Sequence, residues 1–363
     1  MAGIYFHIPF CKTRCIYCDF YSTTNGELKE RFAHALCKEL EMRRDYLQGE
    51  PVGTIYFGGG TPSQLNLTDF KRIFDTIGHA FDIEDAYEIT LEANPETVTP
   101  ERLAAFRRAG VNRLSLGIQT ARDDSLARLG RRHTAAQSRR ALGMAVQAGF
   151  TDISGDLMLA LPAYTMAELD ETIALLAESG CTHISGYLLK IEPNTVFGKR
   201  PPEALPGDDA AADFYLAAVE KLAALGYAQY EISNFARPGF ESRHNRIYWD
   251  CGDYLGLGPA AHSCMGGKRF ATPAGTAAFL AAPAVYEPQG ECTAEDYIML
   301  QLRLSRGLSL SALRARYGVS FSSEKLRFLQ TLAEHGLAVF DGSVLRLTPR
   351  GMLVQNSILC ELV

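Results

Sequence analysis

A threonine opens a helix, a glycine closes it, and a strand follows at once. This unit occurs three times in the middle of the chain. Thr99 stands before Pro100 and its helix ends at Gly110; Thr134 with Gln137 forms a capping box closed by Gly149; Thr165 with Glu168 forms another closed by Gly180. A threonine oxygen accepts from the free N–H groups of a first helical turn, and glycine accepts the left-handed conformation that ends the last one. The strands predicted after these glycines are 113–118, 151–158 and 183–189. The alternation extends upstream. Strand 4–8 precedes a helix with Leu28, Phe32, Leu36 and Leu40 on one face. Strand 54–57 precedes a stripe of Phe70, Ile73, Phe74, Ile77 and Phe81, and strand 87–91 follows. A further helix over 208–225 ends at Gly226. Six βα units in series imply a parallel sheet with helices outside it, because parallel strands need crossovers. A barrel and a doubly wound sheet share this periodicity, which does not separate them.

A chain of 363 residues, 47% apolar, can bury a barrel-sized core and a smaller one. Its net charge of −6 and lack of a long basic run argue against nucleic acid as the main partner. Nine cysteines, an odd number with three clustered, do not form a disulfide framework and suit a reducing cytosol. The first residues lack the basic and apolar regions of a signal peptide, and no run of about 18 uncharged apolar residues is present to span a membrane.

The cluster is Cys11-Lys12-Thr13-Arg14-Cys15-Ile16-Tyr17-Cys18, directly after the first strand. Three thiolates can hold three irons of a [4Fe–4S] cluster and leave the fourth iron open to another ligand. Two other readings stay open. The same thiolates with His7 could bind zinc, although such sites usually add a second cysteine pair, or the three could be packed structural residues. Cys37, Cys181, Cys251, Cys264, Cys292 and Cys360 are scattered singly and read as small core residues.

In a barrel, active sites collect at the C-terminal ends of the strands. Gly58-Gly59-Gly60-Thr61-Pro62 follows strand two, Glu92 strand three and Gln119 strand four; Asp156 is late in strand five, and Lys190 follows strand six. The glycines let a ligand approach the backbone, though a plain tight turn has the same composition, and no Gly-Lys-Ser/Thr follows as in a P-loop. Glu92, Gln119 and Asp156 could hydrogen-bond a ribose or an amine, or be solvated loop residues. Arg131 could pair with a carboxylate, or be one of two adjacent surface arginines.

C-x3-C-x2-C with an aromatic before the last cysteine is the signature of radical S-adenosylmethionine (SAM) proteins, and this chain resembles them. In that family SAM chelates the open iron, and an electron from the cluster cleaves it to methionine and a 5′-deoxyadenosyl radical. The resemblance implies an incomplete (β/α)6 TIM-like barrel. Nearly the whole chain resembles the oxygen-independent coproporphyrinogen III oxidase (HemN-like) family. On that resemblance Cys11, Cys15 and Cys18 hold the cluster. Tyr5, Tyr17, Gly59, Gly60, Thr61, Glu92, Gln119, Arg131 and Asp156 match SAM-contacting positions, and Lys190 matches one through its backbone. Two departures point to a sister group, the haem chaperones of the HemW type. Phe20 stands where the oxidase carries a fourth cysteine, and only ten residues precede Cys11 where the oxidase has a long extension.

His244-Asn245-Arg246-Ile247-Tyr248-Trp249 matches the HNxxYW motif of that group, in which the histidine is implicated in binding haem. Imidazole is a common haem ligand, and Tyr248 and Trp249, the only tryptophan, could stack on a porphyrin. His262 is a second candidate. From Cys292 on, three helical patterns and a hairpin around Asp341-Gly342 resemble a small winged-helix-like α+β domain. Eight Lys/Arg against six Asp/Glu there support a lid or docking module rather than a DNA-binding face. The expected division is a barrel over 1–228, a connecting region over 229–291 and the C-terminal domain over 292–363. The expected function is a cytoplasmic haem chaperone, peripheral at the inner membrane, that binds a [4Fe–4S] cluster, SAM and haem and passes haem to apo-haemoproteins. Its state is monomer or homodimer. The enzymatic rival decarboxylates coproporphyrinogen III, and a third reading is a redox-sensing winged-helix regulator.

Overall fold

The computed structural model describes residues 2–363. Six strands run parallel and lie side by side in sequence order: β1 (Ala2–Ile8), β2 (Val52–Gly59), β3 (Ile83–Ala93), β4 (Arg113–Gln119), β5 (Asp152–Leu159) and β6 (His183–Leu188). A doubly wound sheet reverses its strand order at a switch point. The order here never reverses across these six, so the alternation builds an incomplete barrel. Every residue of β4 is buried, as suits a strand covered on both faces.

The sheet continues past both ends of this series. β7 (Ala228–Glu231) and β8 (Asn234–Ala236) form a hairpin whose β8 pairs antiparallel with β6. β9 (Tyr254–Leu257) lies parallel to β1, and β10 (His262–Met265), β11 (Lys268–Ala271) and β12 (Glu287–Glu291) follow antiparallel. Twelve strands thus form one open sheet, with β12 and β7 at its two edges. Sequence reading assigned no strands to the region 229–291. Its strands are three to five residues long, too short for a period to register.

The first helices are α1 (Lys29–Arg43), α2 (Leu67–Ala80), α3 (Pro100–Arg108), α4 (Asp123–Arg128), α5 (Ala135–Gln147) and α6 (Met166–Glu178). They are followed by α7 (Val196–Lys199), α8 (Asp208–Ala224), α9 (Arg243–Trp249) and α10 (Thr276–Ala281). Thr99, Thr134 and Thr165 each accept from the backbone N–H three residues on, as the caps require. The box at Thr134 is reciprocal, but at Thr165 only half of it forms. The Glu168 carboxylate is drawn inward and accepts from the Thr120 hydroxyl at 2.6 Å.

A second, smaller core is built by α11 (Ala294–Gln301), α12 (Leu310–Tyr317), α13 (Ser323–Glu334), α14 (Pro349–Leu353) and α15 (Gln355–Leu362). The three-stranded sheet β13 (Leu308–Ser309), β15 (Val344–Leu347), β14 (Ala338–Phe340) completes it. A small helical domain with a hairpin wing agrees with the reading from sequence. Among the described residues no helix is long and apolar enough to cross a membrane.

Candidate cluster and cofactor site

The C-terminal ends of β1 to β6 surround a cavity of about 520 Å³. Cys11, Cys15 and Cys18 line it, all free thiols and all partly exposed. Packed structural cysteines would be enclosed, so that reading falls away. The zinc reading fails at its fourth ligand. His7 is buried, its Nδ1 accepts from the Tyr5 hydroxyl at 3.1 Å, and its Nε2 donates to the Tyr21 carbonyl at 2.8 Å. Among the described residues no three His, Cys, Asp or Glu side chains converge on a single ion. Sulfurs that hold a cuboid cluster need not converge in that way; each meets a different iron.

Backbone fixes the cysteine loop against the next strand end. Gly60 donates to the Ile8 carbonyl at 2.9 Å and Thr61 to the Phe10 carbonyl at 2.8 Å. A Cβ at Gly60 would come within 2.7 Å of the Pro9 backbone, so this approach requires glycine. The Cys11 thiol lies 3.7 Å from the Thr61 hydroxyl. Asn94 donates to the same Thr61 oxygen at 3.0 Å and accepts from Arg131 Nη2 at 2.7 Å. Arg131 also donates to the Gly117 carbonyl at 2.6 Å and points Nη1 at the Cys15 sulfur, 3.6 Å away. Arg131 is therefore a half-buried organiser of the site rather than a surface arginine.

Deeper in the cavity lie two acids. Burial lifts Glu92 to about 7, helped by the charge of Asp156, while the Tyr56 hydroxyl donates to it at 2.9 Å. Burial lifts Asp156 to about 6 against the opposing pull of Arg131, and Ser115 donates to it at 3.3 Å. Gln119 holds a left-handed φ of 70° where β4 ends, strain of the kind that gathers at functional sites. Tyr17, Gly59, Gly60, Thr61, Glu92, Gln119, Arg131 and Asp156 all line the cavity. Tyr5 stands behind that lining against His7, and Lys190 is turned outward to Glu192 at 2.7 Å. Asn94, Tyr56 and Ser115 were missed from sequence. Strand alternation marks Tyr56, since Phe57 beside it turns outward to stack on Phe74 of α2.

The HNxxYW segment lies elsewhere. Ser242 caps α9, and Glu88 accepts the backbone N–H groups of Arg243 and His244 at 2.9 and 3.0 Å. This helix packs against β1 and β2 near their N-terminal halves, with the fully buried His244 beside Gly3 and Thr54. Its Nδ1 pairs with the Thr54 hydroxyl at 2.8 Å and its Nε2 with the Tyr248 hydroxyl at 2.7 Å. The ring stacks on Tyr56, 5.2 Å between centroids, and burial lowers its pKa to about 3, so it is neutral. Tyr248 stands edge-on between His244 and Tyr254, and the guanidinium of Arg303 covers Trp249 at 4.5 Å. Asn245 reaches the cavity lined by the cysteines. His262, the second candidate, is exposed on β10.

A model of the radical SAM superfamily matches residues 5–176, and a model of the HemN C-terminal domain matches 293–354. The chain is similar to the haem chaperone HemW of Bacillus subtilis, 35% identical over 99% of this chain and 98% of that one. It is similar to the haem chaperone HemW of Mycobacterium tuberculosis, 35% identical over 99% and 94%. The chain belongs to the HemW family of radical SAM proteins. A third relative, HemW of Escherichia coli, is 41% identical over 72% of this chain and 69% of its own length. The structure of coproporphyrinogen III oxidase (HemN) from Escherichia coli superposes with a TM-score of 0.85 over 99% of this chain and 89% of that one. At 24% identity that likeness shows the fold. Radical SAM proteins carry a [4Fe–4S] cluster and SAM, and the donor set here suits both: free soft sulfur ligands, a side-chain-free glycine approach, and half-buried acids beside an arginine.

Proposed function

We propose that this chain is a haem chaperone that holds a [4Fe–4S] cluster and SAM in the cavity and delivers haem to apo-haemoproteins at the membrane surface. Cys11, Cys15 and Cys18 would hold the cluster. Gly59, Gly60 and Thr61 would receive the SAM amino group, with Tyr17, Glu92, Gln119, Arg131 and Asp156 around the rest and Tyr5 as support from behind. When bound, the cluster and SAM supply one-electron chemistry. The chain's own residues orient and insulate. Arg131 steers toward Cys15, Asn94 fixes Arg131 and Thr61 together, and Tyr56 orients the Glu92 carboxyl.

The observation that carries the chaperone reading is Phe20. It lines the mouth of the cavity and is 70% exposed, an apolar ring where the oxidase-type chain carries a fourth thiol. The curated relatives named as haem chaperones support it. Ligation of haem by His244 belongs to this reading in one form. Both ring nitrogens are engaged, so an iron reaches Nε2 only after the Tyr248 hydroxyl leaves and α9 opens.

The fold shared with HemN keeps one rival, oxidative decarboxylation of coproporphyrinogen III. Anaerobic reconstitution followed by parallel haem titration and oxidase assay separates the two. Stoichiometric haem uptake without protoporphyrinogen IX is the expected result; steady formation of protoporphyrinogen IX overturns it.

A further inference from the structure

Cysteines that stand singly in the sequence meet at the junction between the barrel sheet and the smaller core. Cys264 lies in β10, antiparallel to Arg269 of β11. Cys292 directly precedes Thr293, the cap of α11, and its N–H donates to the Gly267 carbonyl at 2.7 Å. Their sulfurs are 3.4 Å apart across 28 residues of chain. Cys251, two residues past α9, is buried in the second core and also adjoins Cys292. Cys264 is buried, whereas Cys292 is partly open to solvent.

We infer that Cys264 and Cys292 are a redox-active dithiol that closes to an intramolecular disulfide on exchange with a low-molecular-weight disulfide. Backbone hydrogen bonds already hold both residues in place, and the sulfurs need only close from 3.4 Å to a bond of about 2.05 Å. The order of attack follows from exposure. Cys292, as thiolate, attacks one sulfur of the small disulfide; a mixed disulfide forms and one small thiolate leaves. Cys264 then gives its proton to water and attacks the Cys292 sulfur, and the second small thiolate leaves. The protein gives up two electrons and two protons, and the small disulfide becomes two thiols. Burial and the neighbouring thiol push Cys264 up to about 12, which keeps it protonated and unreactive toward the small disulfide until Cys292 has reacted.

The bond would tie β10 to the start of α11. That helix carries Gln301, whose amide donates to the Trp249 carbonyl at 2.8 Å and to Asp250 at 3.1 Å, at the C-terminal end of α9. The bridge would thus fix the element that clamps the helix bearing His244.

The test treats the cluster-loaded full chain with oxidised glutathione under anaerobic conditions, blocks remaining thiols and maps the peptides. Cleavage after lysine and arginine puts Cys251 and Cys264 on one peptide, 247–268, and Cys292 on another, 270–303. The two peptides are expected to be joined in the wild type and equally in Cys251→Ser, and separate in Cys264→Ser. Three results overturn the inference: both cysteines recovered blocked, Cys292 carrying only glutathione, or a link that survives in Cys264→Ser and vanishes in Cys251→Ser.

Discussion

Two half-buried acids give the cavity a pH dependence of its own. Glu92 is lifted by burial from 4.5 to about 7 and Asp156 from 3.8 to about 6. A raised carboxyl keeps its proton longer in the fold than in the unfolded chain. Its contribution to stability is therefore whole below the unfolded value and lost as pH rises through about 6 to 7. Binding a ligand with a fixed positive charge, such as the sulfonium of SAM, has the opposite sign, because it favours the ionised acids. SAM affinity measured by calorimetry on the cluster-loaded protein is expected to rise about tenfold from pH 6 to pH 8. Glu92→Gln should bind more weakly and flatten that profile; an unchanged slope would remove Glu92 from the site. Gly60→Ala should cost about 1–3 kcal/mol by overpacking against the Pro9 backbone and lower the yield of assembled cluster. Denaturant titration and iron analysis read the two effects separately. Much of this site was legible in the sequence, because thiol spacing and a glycine run after a strand are local signals. Asn94 was not. Its role comes from bridging Thr61 and Arg131, 33 and 37 residues away, and no short pattern encodes that.

The decisive element is α9. Sequence motif and ring chemistry suggest an accessible histidine, yet the helix turns His244 inward until Thr54 and Tyr248 occupy both nitrogens. That orientation depends on Glu88, far away in sequence, which accepts the first backbone N–H groups of the helix. Periodicity over seven residues carries no such information. If an open state binds haem, Tyr248→Phe should speed uptake by removing the group on Nε2. The same change should lower stability by about 1–3 kcal/mol by leaving that nitrogen unpaired. Stopped-flow absorbance at the haem band and thermal denaturation measure these; slower uptake would count against His244 as the ligand. The long βα units were readable because caps and terminal glycines repeat, whereas β7 to β12 were too short to announce themselves.

At the scale of the whole molecule, one open sheet runs from β12 through the barrel to β7, and both of its flanks come from the stretch that follows α8. That stretch places β9 beside β1, so the strand that delivers the cysteine loop is held on both sides. The alternation of βα units foretold the parallel series, but only strand order distinguishes a barrel from a doubly wound sheet, and order is a property of the folded chain. The account rests on three thiolates that leave one iron of a cluster open to SAM. Its most direct test is electron paramagnetic resonance of the reduced, anaerobically reconstituted protein with and without SAM, alongside metal analysis. About four irons per chain and a spectrum that changes when SAM is added are expected; zinc in place of iron, or a cluster signal indifferent to SAM, would contradict it.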